Sequence, residues 1–123
     1  MPDYDDVNIF ARILRKEIPA KILFENDAAL AFDDIAPMAP VHALVIPKGN
    51  YVDFGDFTAK ATPKEIADFW AAVRLVAEDV LSLRSGGYRI IANTGRDASQ
   101  EVPHFHVHVL AGKKLGGLLP TGT

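Results

Sequence analysis

The stretch HFHVHVL, residues 104–110, decides the fold of this chain. Successive side chains of a β-strand point to opposite faces of the sheet, so alternating residues share a face. The alternation predicts a strand over residues 103–110 with three imidazoles on one face and the intervening apolar side chains on the other. We expect the apolar face to pack on a hydrophobic core and the imidazoles to face a cleft or solvent.

The segments around this strand predict an antiparallel α+β fold. A short helix is expected over residues 8–16, followed by strands 21–25 and 28–32 joined by the turn pair Asn26-Asp27. Residues 41–47 form a third apolar strand, and residues 88–93 form another. A long helix is expected to begin at the capping box of Thr62 and Glu65 and to end at Gly86-Gly87. The hairpin and the short connections favour antiparallel pairing over a parallel crossover.

Length and composition limit the class of protein. The chain has 123 residues, 13 Lys and Arg, 16 Asp and Glu, a net charge of -3 and no Cys. We expect one domain over residues 1–123, without disulfides, thiolate metal sites or a cysteine nucleophile. The charge argues against a nucleic acid polymer as partner, and no targeting or membrane segment is recognisable. We therefore expect a cytoplasmic protein that does not bind membranes.

Three imidazoles on one strand face have several possible roles. Purely structural histidines at strict alternation would each need a polar partner if buried. A Zn²⁺ ion could bind two of them, with His42 as a third ligand, but no further ligand at a recognisable spacing supports this. The third possibility is nucleophilic catalysis, because an unprotonated imidazole nitrogen can attack phosphorus and its neighbours can assist. We favour catalysis and predict neither a metal nor a cofactor.

The chain resembles the histidine triad (HIT) family, in particular its Hint branch of nucleoside phosphoramidases. The signature His-x-His-x-His lies at residues 104–108, and residues 9–10, 15–21, 31–35, 39–48 and 93–95 are also similar to Hint segments. The resemblance covers about residues 8–112 and leaves a tail at 113–123. It implies a five-stranded antiparallel sheet with one long and one short helix, and a homodimer in which two such sheets join.

The resemblance also implies a role for each matching residue. His106 would be the nucleophile on the α-phosphorus, His104 would fix its tautomer through a backbone carbonyl, His108 would contact phosphate oxygens or the leaving group, and His42 would support them. Substrate contacts are implied for a second group, in which Asp34 binds the ribose, an apolar set lines the base pocket and two amides hold phosphate or leaving group: Asp34, Phe10, Ile13, Phe32, Ile35, Asn93 and Gln100. Plain core positions for the apolar residues other than Ile35, and a turn-forming role for Asp34, remain alternatives.

Two departures from the family concern the leaving group. Glu101 occupies a position that is often Ser in animal Hint proteins, and a carboxylate there would favour a cationic leaving group, unless it faces solvent. The tail also lacks the Trp-containing end of those proteins. The substrate implied is a purine nucleoside 5′-phosphoramidate, with the purine nucleoside monophosphate as product. A dinucleoside polyphosphate hydrolase, a nucleotide-sensing module and a metal-binding protein are the competing hypotheses.

Overall fold

The computed structural model describes residues 3–119 and contains one five-stranded antiparallel sheet. Its strands follow the order β1-β2-β3-β5-β4, and every neighbouring pair is antiparallel. This confirms the predicted sheet. The strands are β1 (Ile22–Glu25), β2 (Ala29–Asp33), β3 (Val41–Pro47), β4 (Arg89–Ile91) and β5 (Val107–Ala111). The helices are α1 (Ile9–Leu14), α2 (Phe54–Lys60) and α3 (Pro63–Arg74), continued by a π-helical turn (Leu75–Val80) and followed later by a 3₁₀ turn (Arg96–Ala98).

The two faces of the sheet carry different layers. On one face the side chains of alternate strand residues pack with α2, α3 and the π-helical turn into a fully buried cluster that includes Val45, Phe69 and Val109. On the other face Leu30, Phe32, Leu44 and Ile46 form a smaller cluster with Phe10 of α1. Strand alternation assigns His42 and His108 to this second face. The larger cluster therefore lies opposite the histidines.

Local signals in the sequence predict the first hairpin and the start of the long helix correctly. The Asn26 side chain accepts from the backbone N–H groups of Ala28 and Ala29, which shapes the turn between β1 and β2. Thr62 accepts from the N–H of Glu65, and the Glu65 carboxylate accepts from the N–H of Thr62. These reciprocal hydrogen bonds form the predicted capping box.

Two helical features differ from the prediction. The long helix is α-helical only to Arg74 and then widens into the π-helical turn, where the N–H of Leu81 donates to the carbonyl of Val76. The additional helix α2 was not predicted, because its seven residues show no long apolar stripe. Asp53 caps this helix by accepting from the N–H of Asp56, and Lys60 lies in its last turn.

The predicted strand over residues 103–110 was wrong at its start. Strand pairing begins at Val107, and the chain from Pro103 to His106 is irregular. Pro103 has no N–H for a ladder hydrogen bond, and the N–H of Phe105 donates to the carbonyl of Tyr51 instead. The three imidazoles consequently do not share one open strand face.

Within residues 3–119, no helix is long and apolar enough to cross a membrane. The structure is that of one chain, so the homodimer stays a prediction.

Helix α1 ends in a Schellman motif that is built on a strained residue. The N–H of Glu17 donates to the carbonyl of Arg12, and the N–H of Lys16 donates to that of Ile13. Lys16 has φ 63°, a left-handed conformation that costs a residue with a Cβ atom roughly 1–2 kcal/mol.

We expect Lys16→Gly to raise the free energy of unfolding by about 0.5–1 kcal/mol, because glycine relieves this strain at a partly offsetting entropic cost. Urea denaturation at neutral pH measures the change. Lys16→Ala is the matched control, since it removes the same charge but retains the Cβ atom. Equal stabilisation by both variants would show that the charge, and not the backbone, was responsible.

Candidate active site

His106 lies just before β5, and its ring is held by the backbone two residues earlier. Its Nδ1 atom is 2.7 Å from the carbonyl oxygen of His104. A carbonyl oxygen only accepts hydrogen bonds, so Nδ1 carries the hydrogen and Nε2 of the neutral ring keeps its lone pair. This is the tautomer that leaves Nε2 available as a nucleophile.

The surroundings of His106 keep the ring neutral. Burial lowers its pKa from the ordinary value, against smaller opposing effects of the His104 carbonyl and the carboxylates Asp34 and Glu101. The ring of Phe10 packs edge-on against it at a centroid distance of 5.0 Å, and the ring of His108 lies at 5.1 Å. An unprotonated imidazole is thus packed between a phenyl ring and a second imidazole.

His104 has a different environment from the one expected. Its side chain is completely buried, with Nε2 3.0 Å from the carbonyl oxygen of Pro47 and Nδ1 2.7 Å from the hydroxyl of Tyr4. The expectation that all three imidazoles face a cleft or solvent is therefore wrong for His104. Its backbone carbonyl, and not its ring, contacts the neighbouring histidine.

His108 and His42 form a hydrogen-bonded pair with a defined direction. The backbone N–H of Met38 donates to Nδ1 of His42, so the hydrogen of the neutral His42 ring is on Nε2. That Nε2 lies 2.9 Å from Nδ1 of His108 and donates to it. Burial lowers the pKa of His108 to about 4, which keeps this ring neutral with its hydrogen on Nε2. His108 therefore has one N–H that is not used in the pair.

The same residues come close enough to be considered as metal ligands. Ligand atoms of Asp34, His42 and His108 all lie within 4.8 Å of one another. A cation on Nε2 of His42 would require the hydrogen to move to Nδ1, where it would point at the N–H of Met38. Because two donors would then face each other, these residues do not fit a metal site.

Asp34 lies close to His42 and also has the turn-forming role that was the alternative to ribose binding. One carboxylate oxygen accepts from the N–H of Ala36 at 2.8 Å, which forms an Asx turn. The other oxygen lies 3.5 Å from Nε2 of His42. The side chain is 21% exposed, so the carboxylate retains acceptor sites for two hydroxyl groups beside the turn.

The apolar residues implied for the base pocket are split between core and surface. Phe10 and Phe32 are buried and pack edge-on with their ring centroids 5.5 Å apart, as the core alternative predicts. Ile35 is 93% exposed beside Asp34. Ile13 is half-buried and lines a cavity of about 430 Å³ between α1 and β1, and no histidine is among the residues that line this cavity.

The three polar residues after β4 differ in what their side chains contact. The Gln100 amide donates to the carbonyls of Val52 and Val102 and accepts from the N–H of Gly95. Both of its N–H groups are therefore used inside the protein, which conflicts with a role in holding phosphate. Glu101 is exposed, and Asn93 is half-buried two residues beyond β4.

Three groups that orient the histidines were not found by sequence reasoning. Two are backbone atoms, the carbonyl of Pro47 and the N–H of Met38, and residue type carries no signal for either. The third is the hydroxyl of Tyr4, which lies 100 residues from His104 in the chain. The sequence signal nearest to these groups is the pair of prolines in the loop before His42, which indicates that backbone groups in that loop do not take part in strand pairing.

Comparisons with known proteins show one family for this chain. The model of the HIT domain matches residues 15–115. A HIT-like protein of Azospirillum brasilense is 56% identical over 119 residues, which cover 97% of each chain. The purine nucleoside phosphoramidase of Escherichia coli is 37% identical over 111 residues, covering 90% of this chain and 92% of that one. The solved structure of a HIT family hydrolase from Legionella pneumophila superposes with a TM-score of 0.80 at 34% identity, covering 88% and 95%.

The buried imidazoles predict that acid destabilises the fold in a defined window. Burial lowers the pKa of His104 from 6.5 to about 4, so between these values the unfolded chain binds a proton that the folded chain does not. We expect the free energy of unfolding to decrease as the pH falls through this window. His104 alone accounts for about 2 kcal/mol by about pH 5.

Urea denaturation at about pH 7.5, 6.5 and 5 measures this loss. Carboxylates whose pKa is lowered in the folded chain, such as Glu65 and Glu78, lose most of their contribution to stability below about pH 5 and so contribute little to the change within this range. Equal stability at the two ends of the range would contradict neutral, buried imidazoles.

Proposed function

Because this chain belongs to the HIT domain family, we propose that it hydrolyses purine nucleoside 5′-phosphoramidates through a covalent intermediate on His106. The observation that carries the proposal is the hydrogen bond from Nδ1 of His106 to the carbonyl of His104, at 2.7 Å. It presents a neutral imidazole whose free lone pair is on Nε2. The fold is that of HIT family hydrolases, and the phosphoramidase of Escherichia coli supports this reaction class.

In the first step Nε2 of His106 attacks the α-phosphorus. A P–N bond to the imidazole forms, the substrate's P–N bond breaks, and the amine leaves with that electron pair and one proton from solvent. The modified imidazole is cationic, so its Nδ1–H bond to the His104 carbonyl becomes stronger as the charge develops. The free N–H of His108 donates to a phosphate oxygen or to the leaving nitrogen.

In the second step water attacks the same phosphorus. The hydroxyl stays on the nucleoside monophosphate, the other proton returns to solvent, and the electron pair of the P–N bond returns to His106. The cycle takes up one proton from solvent and releases one to it, so the protonation state of the protein is the same after each turnover. Asp34 would bind the two ribose hydroxyls, and Phe10 of α1 and Ile35 beside Asp34 would contact the base.

The first prediction of this proposal is a nucleotidyl adduct on His106. Wild-type protein incubated with adenosine 5′-phosphoramidate and quenched in acid-free denaturant should carry an adenylyl group on this residue, detected by mass spectrometry. His106→Ala should lose the adduct and at least about 10³-fold in kcat, because the nucleophile is removed.

The control for that experiment is the fold of the variant. Circular dichroism and urea denaturation should show a folded His106→Ala protein under the assay conditions. Substantial turnover by folded His106→Ala would exclude the covalent mechanism. Faster turnover of a dinucleoside polyphosphate than of the phosphoramidate by the wild type would assign the other substrate class.

Glu101 provides a second prediction, which concerns the leaving group. Its exposed carboxylate contributes electrostatically at His106, and a negative charge there favours a cationic amine over an anionic leaving group. We expect Glu101→Gln to lower kcat/KM about 2–5-fold for a phosphoramidate with a cationic, lysine-type leaving amine. For a phosphoramidate with a neutral leaving amine, kcat/KM should be unchanged.

The matched control is Asp79→Asn, which makes the same charge change on the π-helical turn, across the sheet from the histidines. The effect of Glu101→Gln should also decrease with added salt, because the Glu101 carboxylate is exposed to solvent and salt screens its charge. A loss of equal size for the neutral and the cationic substrate would show that Glu101 does not select the leaving group.

A further inference from the structure

The hydroxyl of Tyr4 connects helix α1 to the histidine segment. The Asn8 amide donates to this hydroxyl at 3.0 Å, and the hydroxyl lies 2.7 Å from Nδ1 of His104. Tyr4 precedes the matched HIT region, which begins at residue 15. Tyr4 is not among the residues that the family resemblance implies.

The direction of each hydrogen bond follows from its partners. Nε2 of His104 faces the carbonyl of Pro47, so the hydrogen of the neutral ring is on Nε2 and Nδ1 must accept. The Tyr4 oxygen accepts from Asn8 and has its own hydrogen left to donate to Nδ1. Every polar atom of the buried His104 ring thereby has a partner of the correct kind.

The hydroxyl remains a donor at neutral pH. Burial raises the pKa of Tyr4, with the Asn8 amide and Arg15 acting in the opposite direction and Asp5 and Asp6 adding to the increase. The same amide group holds the start of α1, because the Asn8 side-chain oxygen accepts from the N–H of Ala11. Phe10 of that helix packs on His106.

We infer that Tyr4 is a positioning residue for the nucleophile, acting through His104. It holds the His104 ring between its own hydroxyl and the Pro47 carbonyl. The backbone of His104 is then fixed where its carbonyl meets Nδ1 of His106. The inference rests on the proposed role of His106 and adds a residue outside the histidine signature to the machinery that orients it.

The alternative is that Tyr4 only fills space and stabilises the fold. A structural role predicts a lower unfolding temperature with unchanged chemistry in the molecules that remain folded. A positioning role predicts a change in the state of the His106 ring at temperatures where the variant is fully folded. Tautomer and catalytic rate are therefore the informative measurements.

The test compares Tyr4→Phe with the wild type by ¹⁵N NMR of the imidazoles and by steady-state kinetics. We expect loss of the accepting signature of His104 Nδ1, a mixture of tautomers at His106, and ~10-fold lower kcat with KM within about twofold. Tyr88→Phe is the matched control, because it removes a tyrosyl hydrogen bond to Glu78 away from the histidines. It should leave both measurements unchanged.

A second variant keeps the test decisive if Tyr4→Phe does not fold. Asn8→Ser retains an oxygen that can cap α1 but removes the amide that donates to Tyr4. It should give a smaller change of the same kind in the His106 spectrum. The NMR measurement needs no substrate, so it stands even if the proposed reaction is not observed. An unchanged His106 tautomer and kcat in folded Tyr4→Phe would overturn the inference.

Discussion

The site depends on one hydrogen bond that a regular β-strand does not make. In a strand, the carbonyl groups lie in the plane of the sheet and point towards neighbouring strands. The carbonyl of His104 instead accepts from the ring two residues further on, which is possible because pairing begins only at Val107. The irregular turn of chain around Pro103 is therefore a condition for the proposed chemistry, and the strand after it supplies rigidity.

Burial gives this hydrogen bond its chemical effect. A carbonyl beside an imidazole makes the ring more basic, and in water it would favour protonation. Here the low exposure of His106 outweighs that effect and keeps the ring neutral. In the proposed reaction, the carbonyl would then stabilise the ring as it becomes cationic during attack on phosphorus. Packing by Phe10 and orientation by His104 would thus serve different stages of that proposed reaction.

The parts of the fold that could be predicted from the sequence are those with local causes. The bounds of β3 follow from one apolar run that ends at Pro47, and the start of α3 follows from a capping box of four residues. The environment of His104 has no local cause, because its partners are 57 and 100 residues away. Alternation alone placed that ring on an open face. The resemblance to a family implied the role of its carbonyl, whereas the contact with Tyr4 is evident only in the folded structure.

The two faces of the sheet divide the tolerance of this protein to substitution. Most of the fully buried side chains belong to the cluster under α3, whereas the histidines lie above the smaller cluster on the other face. A change of substrate preference can therefore accumulate in the loops around His42 and Glu101 with little loss of the free energy that keeps the chain folded. In evolutionary terms, the side chains that stabilise the fold lie mainly on one face of the sheet, and the positions where substitutions can change substrate preference lie on the other.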